Sequence, residues 1–213
     1  MGRKGTPSTK TDFKRRFKEL YSARVGTPAV VDVPELSFLM VDGTGDPNSS
    51  GEYREAVEAI FSVSYGVKFA VKRGPDGMDY GVMPLEGLWW ADDMRAFSLD
   101  DKSSWSWAAM IMQPDLVTDD LVQRSIVEAS EKKPLPAASK LRFDRFREGL
   151  AAQVLHVGPY SAEGPTVERL HAFIAEAGFS LRDKHHEIYL SDPSRADPAK
   201  LKTIIRQPIE VAS

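Results

Sequence analysis

Glu187 carries the carboxylate of this sequence that is best suited to do chemistry. It stands in the segment "HHEIYLSDP" (185–193), whose β-branched and aromatic residues are typical of a strand. Set among aromatic rings, a carboxylate can attract a lipophilic cation, and it can also orient a water molecule as a general base. The alternative is an exposed strand residue paired with a basic neighbour. The residue alone leaves these interpretations open.

Aromatic side chains are concentrated near two other strand-like segments, 79–90 and 103–114. Side chains alternate along a strand, so Trp89 and Trp90 cannot both line one groove without a bulge, whereas Glu86 shares a face with Trp90. For each tryptophan, core packing is the alternative to a place in the groove. The candidates for ligand contact are Trp89, Trp90, Trp105, Trp107, Tyr80, His185 and Tyr189, and those for catalysis are Glu187, Tyr160 and Glu86.

Several common chemistries are excluded by the residues that the sequence lacks. There is no cysteine, no G-x-S-x-G and no H-E-x-x-H pattern, and the glycines near Gly43 do not form a phosphate loop. His185, His186 and Glu187 are consecutive in a strand, so their side chains point apart and cannot converge on one ion. Neither a metal nor a cofactor is expected. The simplest interpretation of Arg206 is a solvated position on the last strand.

The bulk composition is that of an ordinary soluble protein. Of 213 residues, 42% are hydrophobic and 28% charged, and the formal net charge of −3 gives no sign of a nucleic-acid or membrane partner. The N-terminus lacks the apolar stretch of a signal peptide, and the absence of cysteine fits a cytoplasmic location. The expected partner is a small molecule, and the sequence assigns no oligomeric state.

The order of elements is the same in both halves of the chain. "LMVDGTG" leads through a helical segment (51–69) to "YGVMPLEGLWW" and "MIMQP", while "VLHVGPY" leads through a second helix (162–177) to "HHEIYLSDP" and "IIRQP". Each half is therefore predicted to be a strand-helix-strand-strand module. The predicted fold is α+β: two pseudo-symmetric modules form one antiparallel sheet, with helices on one face and a ligand groove on the other.

The predicted organisation is an N-terminal arm (1–27) and one domain (28–213), with modules at about 28–133 and 140–213. If Ile188 faces the helices, alternation places Glu187 on the opposite, open face of the sheet. Shorter elements are also predicted, namely a helix within 12–22, an enlarged loop around 91–104, and a hairpin made of "KLRFDRF" and "GLAAQVLHV".

These motifs together resemble the GyrI-like small-molecule-binding family. "VGPY", "HHEIYLSDP" with "LKTIIRQP", and "MPLEGLWW" with "WSWAAMIMQPD" carry the resemblance, which covers about residues 28–210 and is closest to the stand-alone subgroup. The resemblance implies a central aromatic groove in which Glu187 matches the glutamate that meets cationic aromatic drugs in related regulators. The subgroup is associated with hydrolysis of cyclopropane-bearing, DNA-alkylating natural products.

The implied function is binding of planar aromatic molecules and cofactor-independent, hydrolytic opening of the cyclopropane ring, in resistance or detoxification. Glu187, helped by Glu86, would orient the water, and Tyr160 or Tyr189 would hydrogen-bond the carbonyl on which charge develops. The alternative is a non-catalytic, multidrug-binding or sequestering protein for lipophilic cations. A third role, inhibition of a larger partner such as gyrase, has no supporting feature in the sequence.

Overall fold

The computed structural model describes residues 10–75, 77–91 and 104–212 of the chain. Its α-helices are α1 (Phe13–Arg16), α2 (Lys18–Tyr21), α3 (Gly51–Arg73), α4 (Asp119–Lys132) and α5 (Gly164–Glu176). Its strands are β1 (Ala29–Thr44), β2 (Leu85–Trp90), β3 (Ser106–Gln113), β4 (Arg142–Val157), β5 (Phe179–Leu181), β6 (His185–Tyr189) and β7 (Lys202–Val211). Most of the predicted loop around 91–104 lies outside the described residues, as does the start of the predicted arm.

The strands form a closed antiparallel barrel. They are neighbours in the order β4-β1-β3-β2-β6-β7, and β7 pairs again with β4, while β5 pairs with the end of β7. The α+β class is therefore confirmed. The element order is β1-α3-β2-β3 in the first half and β4-α5-β6-β7 in the second, with β5 inserted before β6. A twofold relation between the halves stays a prediction.

The closure of the sheet corrects the expected place of the groove. Side chains on one face, including those of Val154 and Ile205, pack against Leu170 and Ile174 of α5. Ile205 is the register partner of Glu187, so Glu187 lies on this helix-facing side. The other face is enclosed as the barrel interior and cannot be an open groove. The predicted facing of Ile188 toward the helices was wrong for this reason.

The long helices α3 and α5 lie where the sequence predicts them, although α3 extends to Arg73, four residues beyond the predicted end. Ser50 caps α3 by accepting a hydrogen bond from the Tyr53 backbone N–H, and Thr118 caps α4 in the same way. Such caps contribute about 1 kcal/mol each. The apolar residues of α3 recur at helical spacing and are buried against the barrel: Ala56, Ala59, Ile60, Val63, Val67 and Val71.

One local prediction was wrong and another is confirmed only in part. The predicted hairpin is the single strand β4, because Gly149, with a φ of +72°, stays in register with Val33 of β1 instead of reversing the chain. The predicted N-terminal helix is divided into α1 and α2 at Phe17, whose backbone is not helical. Leu20 and Tyr21 of α2 are buried.

Candidate functional site

The carboxylate of Glu187 is held by the side chains two positions away on either side of it in β6. The Tyr189 hydroxyl donates a hydrogen bond to Oε2 over 2.7 Å, and Nε2 of His185 lies 3.3 Å from Oε1. Residues at i−2 and i+2 share a face of a strand, so this arrangement follows directly from the segment "HHEIY". Glu187 is 7% exposed. Both oxygens are therefore fixed inside the protein and not free in bulk water.

Three phenol groups surround this carboxylate and remain protonated at neutral pH. Burial, with the nearby Glu187 charge second, raises the pKa of Tyr53 and also that of Tyr189 far above their ordinary value. Burial and the negative charges of Glu163 and Glu187 raise the pKa of Tyr160 to about 12. The rings of Tyr160 and Tyr189 are in edge contact at 5.5 Å. Each phenol thus keeps its hydrogen, and that of Tyr189 is donated to Glu187.

An aromatic wall continues from these phenols into the first half of the chain. The Tyr53 ring of α3 contacts Trp89 at 5.6 Å and meets Trp107 edge-on at 5.0 Å, and Trp89 lies 5.5 Å from Trp105. Such offset and edge-on pairs add stabilisation beyond the area that they bury. The wall is therefore a packed unit that joins α3 to β2 and to the start of β3.

Two glycines make room for the tryptophans of this wall. A Cβ atom on Gly87 would lie 2.8 Å from Nε1 of Trp89, and one on Gly43 would lie 2.2 Å from the Trp107 ring. Each indole therefore lies close against a glycine backbone on the sheet. Because glycine has no side chain, these two positions leave the space that Trp89 and Trp107 occupy.

The wall and the carboxylate line one cavity with a volume of about 1190 Å³. It opens between α3 and the start of α5, on the helix-facing side of the sheet. The aromatic residues at its surface include Tyr53, Phe61, Trp89, Trp105, Tyr160 and Tyr189. The charged residues that line it, among those described, are Lys14, Asp46, Glu163, Glu187 and Asp192. The cavity is thus aromatic with an excess of negative charge.

The structure brings Glu187, Tyr160, Tyr189, Trp89 and Trp105 together at this cavity. His185 is 4% exposed and lies behind Glu187, so it touches the carboxylate and not the cavity space.

Four other candidates occupy different places, which corrects their expected positions. Trp107 is fully buried beneath Tyr53, and Tyr80 packs in the core against Phe13. Trp90 lies on the opposite face from Trp89, and the Lys184 ammonium nitrogen lies over its ring, 3.4 Å from the centroid. Glu86 shares the face of Trp90, as alternation predicts, but that face is the barrel interior.

Sequence reasoning missed Glu163, a second carboxylate of the cavity. It is 4% exposed and stands directly before the first residue of α5, where a helix N-terminus favours negative charge. The short 3-10 turn Tyr160–Ala162 presents it on the same side as Tyr160. The signal in the sequence was an acid just after "VGPYSA" and before a helix-starting Gly164-Pro165, which resembles an ordinary helix start.

The barrel interior holds a second set of charged residues. Nε2 of His186 lies 3.0 Å from Glu86 Oε2, and its Nδ1 lies 2.9 Å from Glu148 Oε1. Arg206 donates to Glu148 Oε2 over 3.0 Å. The Tyr21 hydroxyl donates to Glu86 over 2.7 Å. The prediction that Arg206 is solvated was wrong, since it is 2% exposed.

These interior charges balance one another. Burial alone would lower the pKa of His186, but the charge of Glu148 and hydrogen bonds to Glu148 and Glu86 outweigh it and raise that pKa to about 9. Burial alone would raise the pKa of Glu148, but His186 and Arg206 lower it to about 2. Two cations thus face two carboxylates, which is the condition under which charges are tolerated in a core. Within the described residues, no group of three or more His, Asp or Glu side chains is arranged to hold a metal ion.

Comparison with known protein families identifies the family of this chain. The family model of the GyrI-like small molecule binding domain matches residues 27–210. The chain belongs to the GyrI-like family. This confirms the resemblance carried by the paired motifs, and it makes small-molecule binding the shared property of the domain.

Two solved structures from Listeria innocua are close to this GyrI-like chain over almost its whole length. An uncharacterized conserved protein is 40% identical with a TM-score of 0.87, and 94% of this chain aligns with 100% of that one. A hydrolase is also 40% identical with a TM-score of 0.84, and the alignment covers 95% of this chain and 100% of the other. The C-terminal domain of EcmrR, at 16% identity and a TM-score of 0.55, shares the fold. Among curated proteins, none matches the chain. None of the described helices is long and apolar enough to cross a membrane.

Proposed function

We propose that this protein binds planar, mainly apolar small molecules in the aromatic cavity and hydrolyses them with Glu187 as the general base. The observation that carries the proposal is a carboxylate fixed at both oxygens beside a cavity walled by Trp89, Trp105 and Tyr160. The hydrolase of Listeria innocua, 40% identical over nearly the whole chain, supports hydrolysis as the reaction class.

The cavity suits a flat, conjugated ligand. Its volume of about 1190 Å³ exceeds the roughly 300–1,000 Å³ of ordinary small-molecule sites, so a polycyclic molecule fits. Indole and phenol rings provide flat contact surfaces whose burial against a ligand ring removes apolar area from water. Because these rings are packed on one another before a ligand arrives, little side-chain entropy is lost on binding.

The reaction would begin with a water molecule hydrogen-bonded to Glu187. His185 and Tyr189 hold the carboxylate beside the cavity from within the strand, and a carboxylate has about four acceptor sites, enough to bind a water as well. As the water oxygen attacks the substrate carbon, one of its protons passes to Glu187. The enclosed surroundings replace bulk water around the carboxylate and hold the two reactants together.

The finer proposal is that the substrate carries an activated cyclopropane conjugated to a carbonyl group. The water oxygen bonds to a ring carbon, the strained carbon–carbon bond breaks, and its electron pair moves onto the conjugated carbonyl. Tyr160, whose raised pKa keeps it protonated, donates a proton to that oxygen, and the proton on Glu187 then restores Tyr160. The net result is addition of one water molecule, and the alcohol product no longer alkylates DNA.

A second candidate function is binding without turnover, as a sequestering protein for lipophilic cations. Glu163, Glu187 and Asp192 favour it because all three act on Tyr160 with negative charge. The faces of the aromatic rings and the carboxylates both attract a delocalised cation, so each favours its binding in the cavity.

Incubation with a cyclopropane-containing alkylator, followed by mass spectrometry, tests the reaction. Wild type should add the mass of one water, whereas Glu187→Gln should bind the compound and lose turnover by at least about a hundredfold, since a general base contributes about 10²–10⁴. Glu168→Gln, an exposed position on α5, is the matched control and should react as wild type does.

Absence of product with wild type would reject hydrolysis of this substrate class. Loss of affinity for cations alone in Glu187→Gln, with affinity for neutral analogues intact, would then establish the binding function. Retained turnover in Glu187→Gln would remove Glu187 from the base role.

A further inference from the structure

We propose that His185 is a positioning residue that fixes the Glu187 carboxylate from behind, an inference that rests on the proposed hydrolysis. The sequence suggested ligand contact for His185, but its side chain is 4% exposed and its Nε2 lies 3.3 Å from Oε1 of Glu187. Because an ionised carboxylate only accepts, this ring nitrogen must carry the hydrogen.

The two neighbours of Glu187 act as a pair. His185 contacts Oε1 and Tyr189 contacts Oε2, one from each side along the strand. The terminal torsion of a glutamate is soft and otherwise permits the carboxylate plane to rotate. Two contacts on different oxygens fix that plane, and with it the direction in which a water is held. Loss of either contact should reduce turnover more than binding.

His185 is itself enclosed. On the sheet its register partner is Trp89, and His171 of α5 lies close enough for the two imidazoles to interact electrostatically. Burial, and then His185, lower the pKa of His171, so His171 stays neutral beside it. Nε2 of His171 is buried and has no hydrogen-bond partner among the described residues. His171 therefore adds bulk next to His185 without competing for the Glu187 carboxylate.

Other titratable groups also act on this carboxylate. Tyr189 follows it on β6, Tyr53 faces it from α3, and Tyr160 and Glu163 face it from the segment that precedes α5. Because the phenols stay protonated, they add no charge of their own next to Glu187.

Three variants distinguish the effect of the hydrogen bond from His185 to Glu187 from the effect of ring packing beside it. His185→Phe keeps a ring and removes the donor, His185→Gln supplies an amide N–H without the ring, and His171→Phe changes the neighbouring ring only. We expect His185→Phe to lower kcat about 10- to 100-fold with KM changed less than about twofold, because one hydrogen bond to a charged group is lost. His185→Gln should regain most of kcat, and His171→Phe should keep it.

A second measurement tests the role of His185 without an activity assay. Carbon-13 NMR of side-chain-labelled glutamate, with the Glu187 signal assigned by its loss in Glu187→Gln, gives the titration midpoint of this carboxyl group. His185→Phe should move the midpoint to higher pH, and His185→Gln should move it back.

Equal midpoints in wild type and His185→Phe would overturn the inference. An equal fall of kcat in His185→Phe and His171→Phe would do so too, because packing would then explain both. If wild type hydrolyses nothing, the proposed function fails, while the midpoints still decide the role of His185.

Discussion

His186 and Glu187 are consecutive residues of one strand, yet their side chains lie in two separate compartments. Glu187 lies beside the aromatic cavity on the helix-facing side, and His186 lies between Glu86 and Glu148 inside the barrel. One backbone therefore carries both the candidate catalytic carboxylate and the central cation of the buried charges. The two compartments can be tested independently.

Gly87→Ala should weaken ligand binding without removing any group of the cavity. The new Cβ would lie 2.8 Å from Nε1 of Trp89, so the indole must move away from the sheet and into the cavity. We expect an affinity loss of roughly tenfold, about 1.4 kcal/mol, measured by quenching of tryptophan fluorescence with a planar aromatic ligand. Gly51→Ala, where a Cβ meets open space, should bind as wild type does. Unchanged affinity in Gly87→Ala would show that Trp89 is not a ligand contact.

Glu163→Gln should change the charge preference of the cavity. Its carboxylate is buried close enough to raise the pKa of Tyr160, so the same field favours a cationic ligand. We expect several-fold weaker binding of a lipophilic cation and unchanged binding of a neutral compound of the same shape, measured by calorimetry at low salt. Glu168→Gln on the exposed side of α5 is the control. Equal loss for both ligands would assign Glu163 to structure.

The buried charges should make stability depend on pH in a defined way. The pKa of His186 is raised to about 9 from an ordinary 6.5, so its contribution is complete below pH 6.5 and is lost as the pH rises through 9. The pKa of Glu148 is lowered to about 2 from 4.5, so its contribution is complete above 4.5 and is lost as the pH falls toward 2. Urea unfolding between pH 5 and 10 should show a decline of up to about 1.4 kcal/mol per pH unit on the alkaline side.

His186→Gln provides the comparison for this pH profile. The variant should be less stable at pH 6 and should lose the decline between 6.5 and 9, since the titrating group is gone. Lys140→Gln, which removes an exposed pair with Glu52, should keep the wild-type profile within about 0.5 kcal/mol. A decline that persists in His186→Gln would mean that another group titrates.

Arg206→Met should destabilise the protein and loosen its N-terminal segment. Arg206 donates to Glu148 and to the backbone carbonyl of Leu20 in α2, so the variant leaves a buried carboxylate short of a cation. We expect a loss of about 3–5 kcal/mol in the free energy of unfolding. Hydrogen exchange should accelerate at 18–22 beyond the global effect. Tyr21→Phe, which removes one hydroxyl, should cost about 1–2 kcal/mol and exchange less.

The sequence predicted the helices of the fold better than its closure. Helical periodicity indicated α3, and Thr118 followed by two acids indicated the start of α4, because caps and apolar stripes are local properties of a chain. Pairing of β4 with β7 joins strands about 50 positions apart and leaves no local signal. Without that pairing, the face of Glu86 looked open, and its carboxylate was expected near Glu187.

Within the site, alternation was more informative than residue type. The segment "HHEIY" correctly grouped His185, Glu187 and Tyr189 on one face. Aromatic character did not separate Trp89 at the cavity from Trp107 beneath it, because both lie on the same face and both contact Tyr53 of α3. Glu163 was missed because its burial depends on how the turn before α5 folds back.

The order of strands around the barrel shows that both halves of the chain contribute to the candidate site. β1, β3 and β2 come from the first half and β6, β7 and β4 from the second, and the aromatic wall meets the carboxylate at the boundary between β2 and β6. A half expressed alone would leave two strands with open hydrogen-bonding edges, which favour association with further copies. Separately expressed halves should therefore aggregate and be inactive, because only the whole chain brings the aromatic wall and the Glu187 carboxylate together.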